Sequence, residues 1–93
     1  MLVLRISSID DLFENEEEIL RRINEAPNGP NLYVIHPLRA LADLGIELSD
    51  EARQSLVRRE PGLAALSITA YEALMKSKKH QLVRFHIKAL FRR

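Results

Sequence analysis

The chain has 93 residues, of which 46% are hydrophobic and 29% are charged, and its net charge is +1. This length and composition predict one globular domain, residues 1–93, with a single hydrophobic core and fraying at 89–93. The chain contains no cysteine, which excludes disulfides, thiolate metal sites and cysteine nucleophiles and predicts a reducing, cytoplasmic location. No apolar run approaches the roughly 18 residues of a membrane span, so we expect no such span.

The first part of the chain predicts a strand followed by helix. Leu2–Ile6 alternates between two faces, which is typical of a short β-strand. Ser8 followed by Asp11 matches a helix capping signal, and apolar residues then recur at helical spacing as far as Ala26. Asn15 begins a second capping signal, so the segment is either one helix or two helices with a break near Asn15.

The middle of the chain predicts a second strand and a short helix. Leu32–His36 is an apolar run that ends before Pro37, and a residue before proline favours extended geometry, so we expect a strand there. Pro37 suits the first turn of a helix, and the apolar spacing from Leu38 to Leu44 predicts an amphipathic one. Gly45 is expected to end this helix in the left-handed conformation.

Two further helices are predicted in the second half. Ser49 is a typical N-cap, and the helix after it should run to Arg59, before the stop signal Glu60-Pro61-Gly62. A further capping pattern predicts another helix from about Ala70 to Lys78. The pattern does not decide the conformation of Leu63–Ile68.

The last fourteen residues, HQLVRFHIKALFRR, fit two structures. As a strand, Leu82–Lys88 alternates apolar and basic residues. As a helix, an apolar stripe is formed by Val83, Ile87, Leu90 and Phe91, but Phe85 then projects from the polar side. The position of Phe85 favours a strand that continues to Lys88 and pairs with another strand.

These elements together predict an α+β fold in a single small domain. Three or four helices are expected to pack on a small sheet of two or three strands. The expected strands are Leu2–Ile6, Leu32–His36 and Leu82–Lys88. Their order in the sheet is not determined by the sequence.

One stretch, HPLRALADLGIELSDEA, carries a recognisable pattern. The pattern P-x-x-A-L-x-x-x-G-I-E-L is formed by Pro37, Ala40, Leu41, Gly45 and Ile46–Leu48. It resembles the leader segments of nitrile-hydratase-like precursors, and that resemblance implies a small-residue cleavage site and a modifiable core peptide after the leader. Here the chain continues into a basic segment without cysteine, so the resemblance assigns no functional residue.

Residues suited to catalysis, metal binding or phosphate binding are few and scattered. The three glycines are far apart, so the chain has no glycine-rich phosphate loop. His36 is expected at a strand end or helix start, while His80 and His86 would share a strand face with basic residues, which disfavours a bound cation. Glu16–Glu18 would spread around a helix and could not converge on one substrate atom. We therefore expect no cofactor, metal, small-molecule ligand or catalytic site.

Charge is distributed unevenly along the chain. Residues 1–48 contain nine acids and four arginines, whereas residues 49–93 contain ten basic residues and four acids. Such polarity can orient two copies head to tail or attract an anionic partner. The residues expected to contact an anionic partner are Lys76, Lys78, Lys79, Arg84, His86, Lys88, Arg92 and Arg93.

The sequence predicts a noncatalytic protein-interaction module that binds another protein or self-associates. The alternative is a nucleic-acid-binding protein that uses the basic segment 76–93, although no nucleic-acid-binding motif accompanies these charges. If this segment chiefly faces solvent or protein, its binding to nucleic acid should be weak and should fall steeply as salt rises.

Overall fold

The computed structural model describes residues 2–66, 68–76 and 86–91. In chain order the elements are β1 (Leu4–Ile6), α1 (Ile9–Glu14), α2 (Glu16–Glu25), α3 (Gly29–Ile35), α4 (Pro37–Asp43), β2 (Ile46–Leu48), α5 (Asp50–Arg59), a 3-10 helix (Pro61–Ala65) and α6 (Ile68–Lys76). The protein is therefore mostly helical with a small sheet, which confirms the α+β class in outline. The described residues form six α-helices rather than the predicted three or four.

The sheet consists of β1 and β2, which pair in parallel with Leu4 opposite Ile46. Two further backbone bonds extend the pairing, from Leu4 N–H to the Gly45 carbonyl oxygen (2.8 Å) and from Ser49 N–H to the Ile6 carbonyl oxygen (2.9 Å). Four helices separate the two strands, in keeping with the crossover connection that a parallel pair needs. The first strand begins two residues later than predicted.

One cluster of buried side chains joins the strands, the helices and the C-terminal residues. Helices α2, α3 and α4 pack on one another, α5 packs on α1 and on the 3-10 helix, and α6 packs on α3. The buried residues are Ile6, Leu12, Ile19, Ile23, Tyr33, Ala40, Leu41, Ile46, Ala52, Leu56, Leu63, Tyr71 and Leu90.

Several predicted helix boundaries are confirmed by their capping bonds. Ser8 Oγ accepts a bond from Asp11 N–H (3.1 Å), and Ser49 Oγ accepts one from Ala52 N–H (3.0 Å). Helix α5 ends at the predicted residue. The break between α1 and α2 lies at Asn15, whose side-chain nitrogen donates to the Asp11 carbonyl oxygen (2.8 Å). The alternative with two helices is therefore correct.

Helix α4 is closed at both ends by local interactions. At its start His36 Nδ1 accepts a hydrogen bond from Arg39 N–H (3.2 Å). Of the two positions predicted for His36, a strand end or a helix start, the second is therefore correct. At its end Gly45 is left-handed with φ 81°, as predicted, and its N–H donates to the Ala42 carbonyl oxygen (3.1 Å).

The predicted strand at Leu32–His36 is wrong, because α3 occupies this part of the chain. The helix starts after Asn28, whose backbone is left-handed with φ 56°. The carbonyl oxygen of Asn28 accepts a bond from Leu32 N–H (2.9 Å). Pro30 lies in the first turn, where the fixed φ of proline suits a helix.

Two features of this segment explain the error. The restriction before proline acts on His36 alone, which has φ −152° and ψ 87°, while the preceding residues remain helical. Burial in α3 follows a helical spacing, with Pro30 and Tyr33 buried and Val34 exposed. A run of four apolar residues and one histidine is too short to show that spacing, so packing against α2 and α4 decides the conformation.

The predicted strand at Leu82–Lys88 lies partly outside the described residues. Over His86–Lys88, where the chain is described, it is not a strand, so the prediction is wrong there. The partner of β1 is instead Ile46–Leu48, which was not predicted as a strand. Helix α6 begins at Ile68, two residues early, and its predicted end at Lys78 lies outside the described residues.

Candidate interaction site

Residues His86–Phe91, which we call the C-terminal segment, are bound to α2 and α3 through hydrogen bonds between their backbone and helix side chains. The Asn24 side chain makes two of these bonds with Ile87. Its Nδ2 donates to the Ile87 carbonyl oxygen (3.0 Å), and Ile87 N–H donates to its Oδ1 (2.8 Å). One side-chain amide thus satisfies both backbone groups of a residue, as a neighbouring β-strand would do.

Leu90 is bound through its backbone as well. Its N–H donates to Glu16 Oε2 (3.2 Å), and its carbonyl oxygen accepts a hydrogen bond from the Tyr33 hydroxyl. Burial raises the pKa of Tyr33 above its ordinary value, and the nearby Glu16 carboxylate raises it further. The Tyr33 hydroxyl therefore stays protonated and remains a donor to the segment.

We call Glu16, Asn24 and Tyr33 the receiving face. Glu16 and Asn24 are eight residues apart on α2, a distance of about 12 Å along a helix. Ile87 and Leu90, which they bind, are three residues apart and span about 10 Å in extended chain. The two spacings match, and the segment runs antiparallel to α2 because the later residue of the segment meets the earlier residue of the helix.

The side chains of the C-terminal segment divide into an inner and an outer set. Leu90 is buried, and Ile87 and Phe91 are half-buried against the core. The Phe91 ring lies 6.2 Å from the Tyr33 ring, between centroids, at an interplanar angle of 55°. His86 and Lys88 are exposed. The alternation expected of this stretch is therefore present in part, although the bonds that hold it come from helices.

An apolar groove continues from the bound segment. Its volume is about 430 Å³, and Leu90 and Phe91 form part of its wall together with Tyr33. Val34, with 59% of its surface exposed, also lines this groove. The other lining residues are Pro37, Glu60, Gly62, Leu63 and Leu66.

Polar side chains connect α6 to α4. The Asp43 carboxylate accepts a bond from the Tyr71 hydroxyl (2.8 Å) and bonds from Arg39 Nε (3.2 and 3.3 Å). The Arg39 guanidinium also lies over the Tyr71 ring, 5.4 Å from its centroid. Burial raises the pKa of Tyr71, and the bond to Asp43 adds to the effect. This network fixes α6 against α4.

A second depression of about 530 Å³ lies beside the two strands. Its lining includes two basic residues, Arg5 and Arg53, and one acidic residue, Glu47. Arg5 Nε and Glu47 Oε2 form an exposed ion pair at 3.3 Å. Mixed charge of this kind favours no single class of ligand.

Three of the eight residues expected to contact an anionic partner are described. Lys76 is the exposed last residue of α6, and His86 and Lys88 are exposed residues of the C-terminal segment. The other five, which lie outside the described residues, are Lys78, Lys79, Arg84, Arg92 and Arg93.

The residues that hold the segment are not marked as a site by the sequence. Its patterns place Tyr33 in the core or at its boundary and Glu16 at an exposed helix start, and they give Asn24 no role. One signal is present in the sequence, because asparagine is a poor residue for a helix interior. Asn24 is nevertheless a half-buried residue of α2, and its bonds to Ile87 account for it.

Comparison with protein-family models, with curated proteins and with solved structures finds no significant match to this chain. Within residues 2–66, 68–76 and 86–91, no helix is long and apolar enough to cross a membrane. The same residues contain no group of three histidine or acidic side chains placed to hold a metal ion.

Proposed function

We propose that this protein is a noncatalytic interaction module whose receiving face binds an extended peptide segment. The observation that carries the proposal is the set of four hydrogen bonds between three helix side chains and the backbone of two residues, Ile87 and Leu90. Bonds to the backbone supply affinity for any extended chain, whereas pockets for side chains supply specificity. The C-terminal segment fills this site in the folded chain.

The side chains of the segment indicate which peptides fit. Apolar residues at the first, fourth and fifth positions of the ligand would take the places of Ile87, Leu90 and Phe91. A basic residue at the second position would replace the exposed Lys88, and the first turn of α2 carries the acids Glu16–Glu18. Opposite charge at the rim of a site raises the rate of association and selects among partners.

The protein's own segment must compete with any ligand in solution. A short connection keeps a tethered segment at an effective concentration on the order of millimolar, so a free peptide binds only when it displaces the segment. A full-length chain whose own segment is weakened should therefore bind free peptide more tightly than the natural chain does.

The test is fluorescence anisotropy with a labelled peptide of residues 80–93. The receptor is the full-length chain with Leu90→Ala and Phe91→Ala, whose folding is checked by circular dichroism. We expect saturable binding at least about tenfold tighter than to the natural chain. Adding Asn24→Ala should remove most of this binding, whereas adding Asn31→Ala should leave it unchanged, since no side-chain hydrogen bond of Asn31 occurs among the described residues. Equal effects of the two asparagine substitutions would refute the proposal.

Nucleic-acid binding by segment 76–93 is the second candidate function. It is favoured by the exposure of the side chains of Lys76, His86 and Lys88, while the apolar residues of the segment pack inward. A salt titration with single-stranded nucleic acid tests it. If Lys76 and Lys88 each bind one phosphate, replacing either with Gln should lower the slope of log affinity against log salt by about 0.7. An unchanged slope would exclude these lysines from phosphate binding.

A further inference from the structure

We infer that two copies of this chain exchange their C-terminal segments, so that the receiving face of each copy binds His86–Phe91 of the other. The inference rests on the proposed function and names a second copy as the partner. It uses a ligand that fits the site, because the same segment already occupies it within the chain.

The bonds themselves do not depend on which copy supplies the segment. All four join a side chain of the receiving face to the backbone of Ile87 or Leu90. The buried Leu90 and the Tyr33–Phe91 ring contact belong to the same short stretch. A segment that arrives from another copy would therefore reproduce every one of these contacts.

The connection is long enough for the exchange. Nine residues, 77–85, separate the end of α6 from the segment. When fully extended, nine residues span at most roughly 32 Å. The longest dimension of the chain is 36 Å, so nine residues have an extended length that covers most of one copy.

The charge pattern is complementary between two copies in the same way as it is within one chain. Residues 1–48 carry nine acids against four arginines, and residues 49–93 carry ten basic residues against four acids. The receiving face lies in the acidic part and the segment in the basic part. Mutual exchange sets the acidic part of each copy beside the basic segment of the other, which closes the pair symmetrically.

The protein concentration determines whether the exchanged pair can be detected. Within one chain the segment has an effective concentration on the order of millimolar, so the natural protein should form pairs as its own concentration approaches about 1 mM. Two complementary variants remove this competition. One carries Leu90→Ala and Phe91→Ala and keeps its receiving face. The other carries Asn24→Ala and Tyr33→Phe and keeps its segment.

The experiment measures the mass of each variant alone and of an equal mixture by light scattering during gel filtration. We expect each variant alone to remain near 10.7 kDa and the mixture to approach twice that mass. Replacing Asn24→Ala by Asn31→Ala in the second variant should restore part of its own internal binding and weaken the mixed pair. Circular dichroism is used to check that both variants are folded.

Three results would overturn the inference. If the mixture stays at the mass of one chain while the labelled peptide still binds, segment exchange is wrong and the proposed function stands. If each variant pairs by itself, the contact between copies lies elsewhere. If neither the mixture nor the peptide shows binding, both the exchange and the proposed function fail.

Discussion

β1 and the C-terminal segment lie at the two ends of the described chain. Both pack on the rest of the fold, but different hydrogen-bonding groups hold them in place. β1 is joined to β2 by bonds between backbone atoms. The C-terminal segment is joined to α2 and α3 by bonds from side chains to its backbone. A backbone ladder tolerates many side-chain changes, whereas one substitution on a helix can remove two bonds to the segment. The proposed function therefore expects a competing peptide to displace the segment rather than β1.

The largest expected effect comes from Gly29→Ala, which breaks the corner between α2 and α3 on which the receiving face depends. A Cβ at Gly29 would lie 1.9 Å from the Ile23 carbonyl oxygen, so the two helices must separate. We expect the free energy of unfolding to fall by about 3 kcal/mol or more in urea denaturation. Gly62→Ala is the control, because a Cβ there meets nothing within 4 Å. Equal midpoints for the two variants would contradict the close packing of this corner.

Leu90→Ala is expected to have the next largest effect, and it acts on the segment alone. Leu90 retains only 4% of its surface exposed, so truncation removes buried contacts. We expect the free energy of unfolding to fall by about 2 kcal/mol, at the low end for such a change, because the site lies near the surface. Ala89→Ser, at an exposed position, is the matched control. A urea midpoint that Leu90→Ala leaves unchanged would show that the segment does not stabilise the fold.

Gly45→Ala tests the attachment of β1. Gly45 has φ 81°, a conformation that has a higher free energy for alanine than for glycine. Its carbonyl oxygen accepts the hydrogen bond from Leu4 N–H. The free energy of unfolding is expected to fall by about 1 kcal/mol, measured by the urea midpoint. An unchanged midpoint would mean that this residue does not need the left-handed conformation.

Acid should weaken the contact between α2 and the end of α4 through Glu18. Bonds from Arg21 and Arg22 lower the pKa of Glu18 from 4.5 to about 2, and Arg22 Nη1 also donates to the Leu44 carbonyl oxygen (3.1 Å). Because the folded-state pKa is the lower one, this contribution is present above pH 4.5 and is lost as the pH falls toward 2. The effect should be small, because the carboxylate is exposed.

Stability measured against pH for Glu18→Gln checks this expectation. The variant should lose less stability than the natural chain between pH 4.5 and 2. Glu17→Gln is the control, since Glu17 forms no ion pair among the described residues. Parallel curves for the natural chain and Glu18→Gln would exclude the proposed contribution.

The smallest effect is expected from Arg5→Gln. The ion pair between Arg5 and Glu47 bridges the strands, but their side chains are 87% and 64% exposed. Pairs of this kind contribute less than about 1 kcal/mol, so the urea midpoint should stay nearly unchanged. A large decrease in the urea midpoint would show that side-chain contacts, and not only backbone hydrogen bonds, hold β1.

The sequence predicts best where one residue type has one local role. Ser8, Ser49 and Gly45 act on groups within a few residues, and the structure confirms each of them. The break between α1 and α2 at Asn15 is likewise set by a local capping residue. These predictions succeed because capping bonds and left-handed glycine depend on neighbouring backbone and little on the rest of the fold.

The sequence predicts poorly where distant contacts decide. Leu32–His36 is rich in apolar residues and precedes proline, yet packing on α2 and α4 makes all of it but His36 helical. The bond between Asn24 and Ile87 joins residues that are 63 positions apart. No local pattern marks such a pair, so the receiving face could not be predicted, although the position of Ile87 on the apolar side of the segment could.

The most direct test of the central claim is amide hydrogen exchange at Ile87 in the full-length chain. If Asn24 binds the segment as described, the Ile87 amide exchanges slowly in the natural chain and in Asn31→Ala. In Asn24→Ala it should exchange about tenfold faster or more, the change expected for losing hydrogen bonds worth about 1–2 kcal/mol. An Ile87 amide that exchanges at the rate of free peptide in the natural chain would contradict the claim that the receiving face binds this segment.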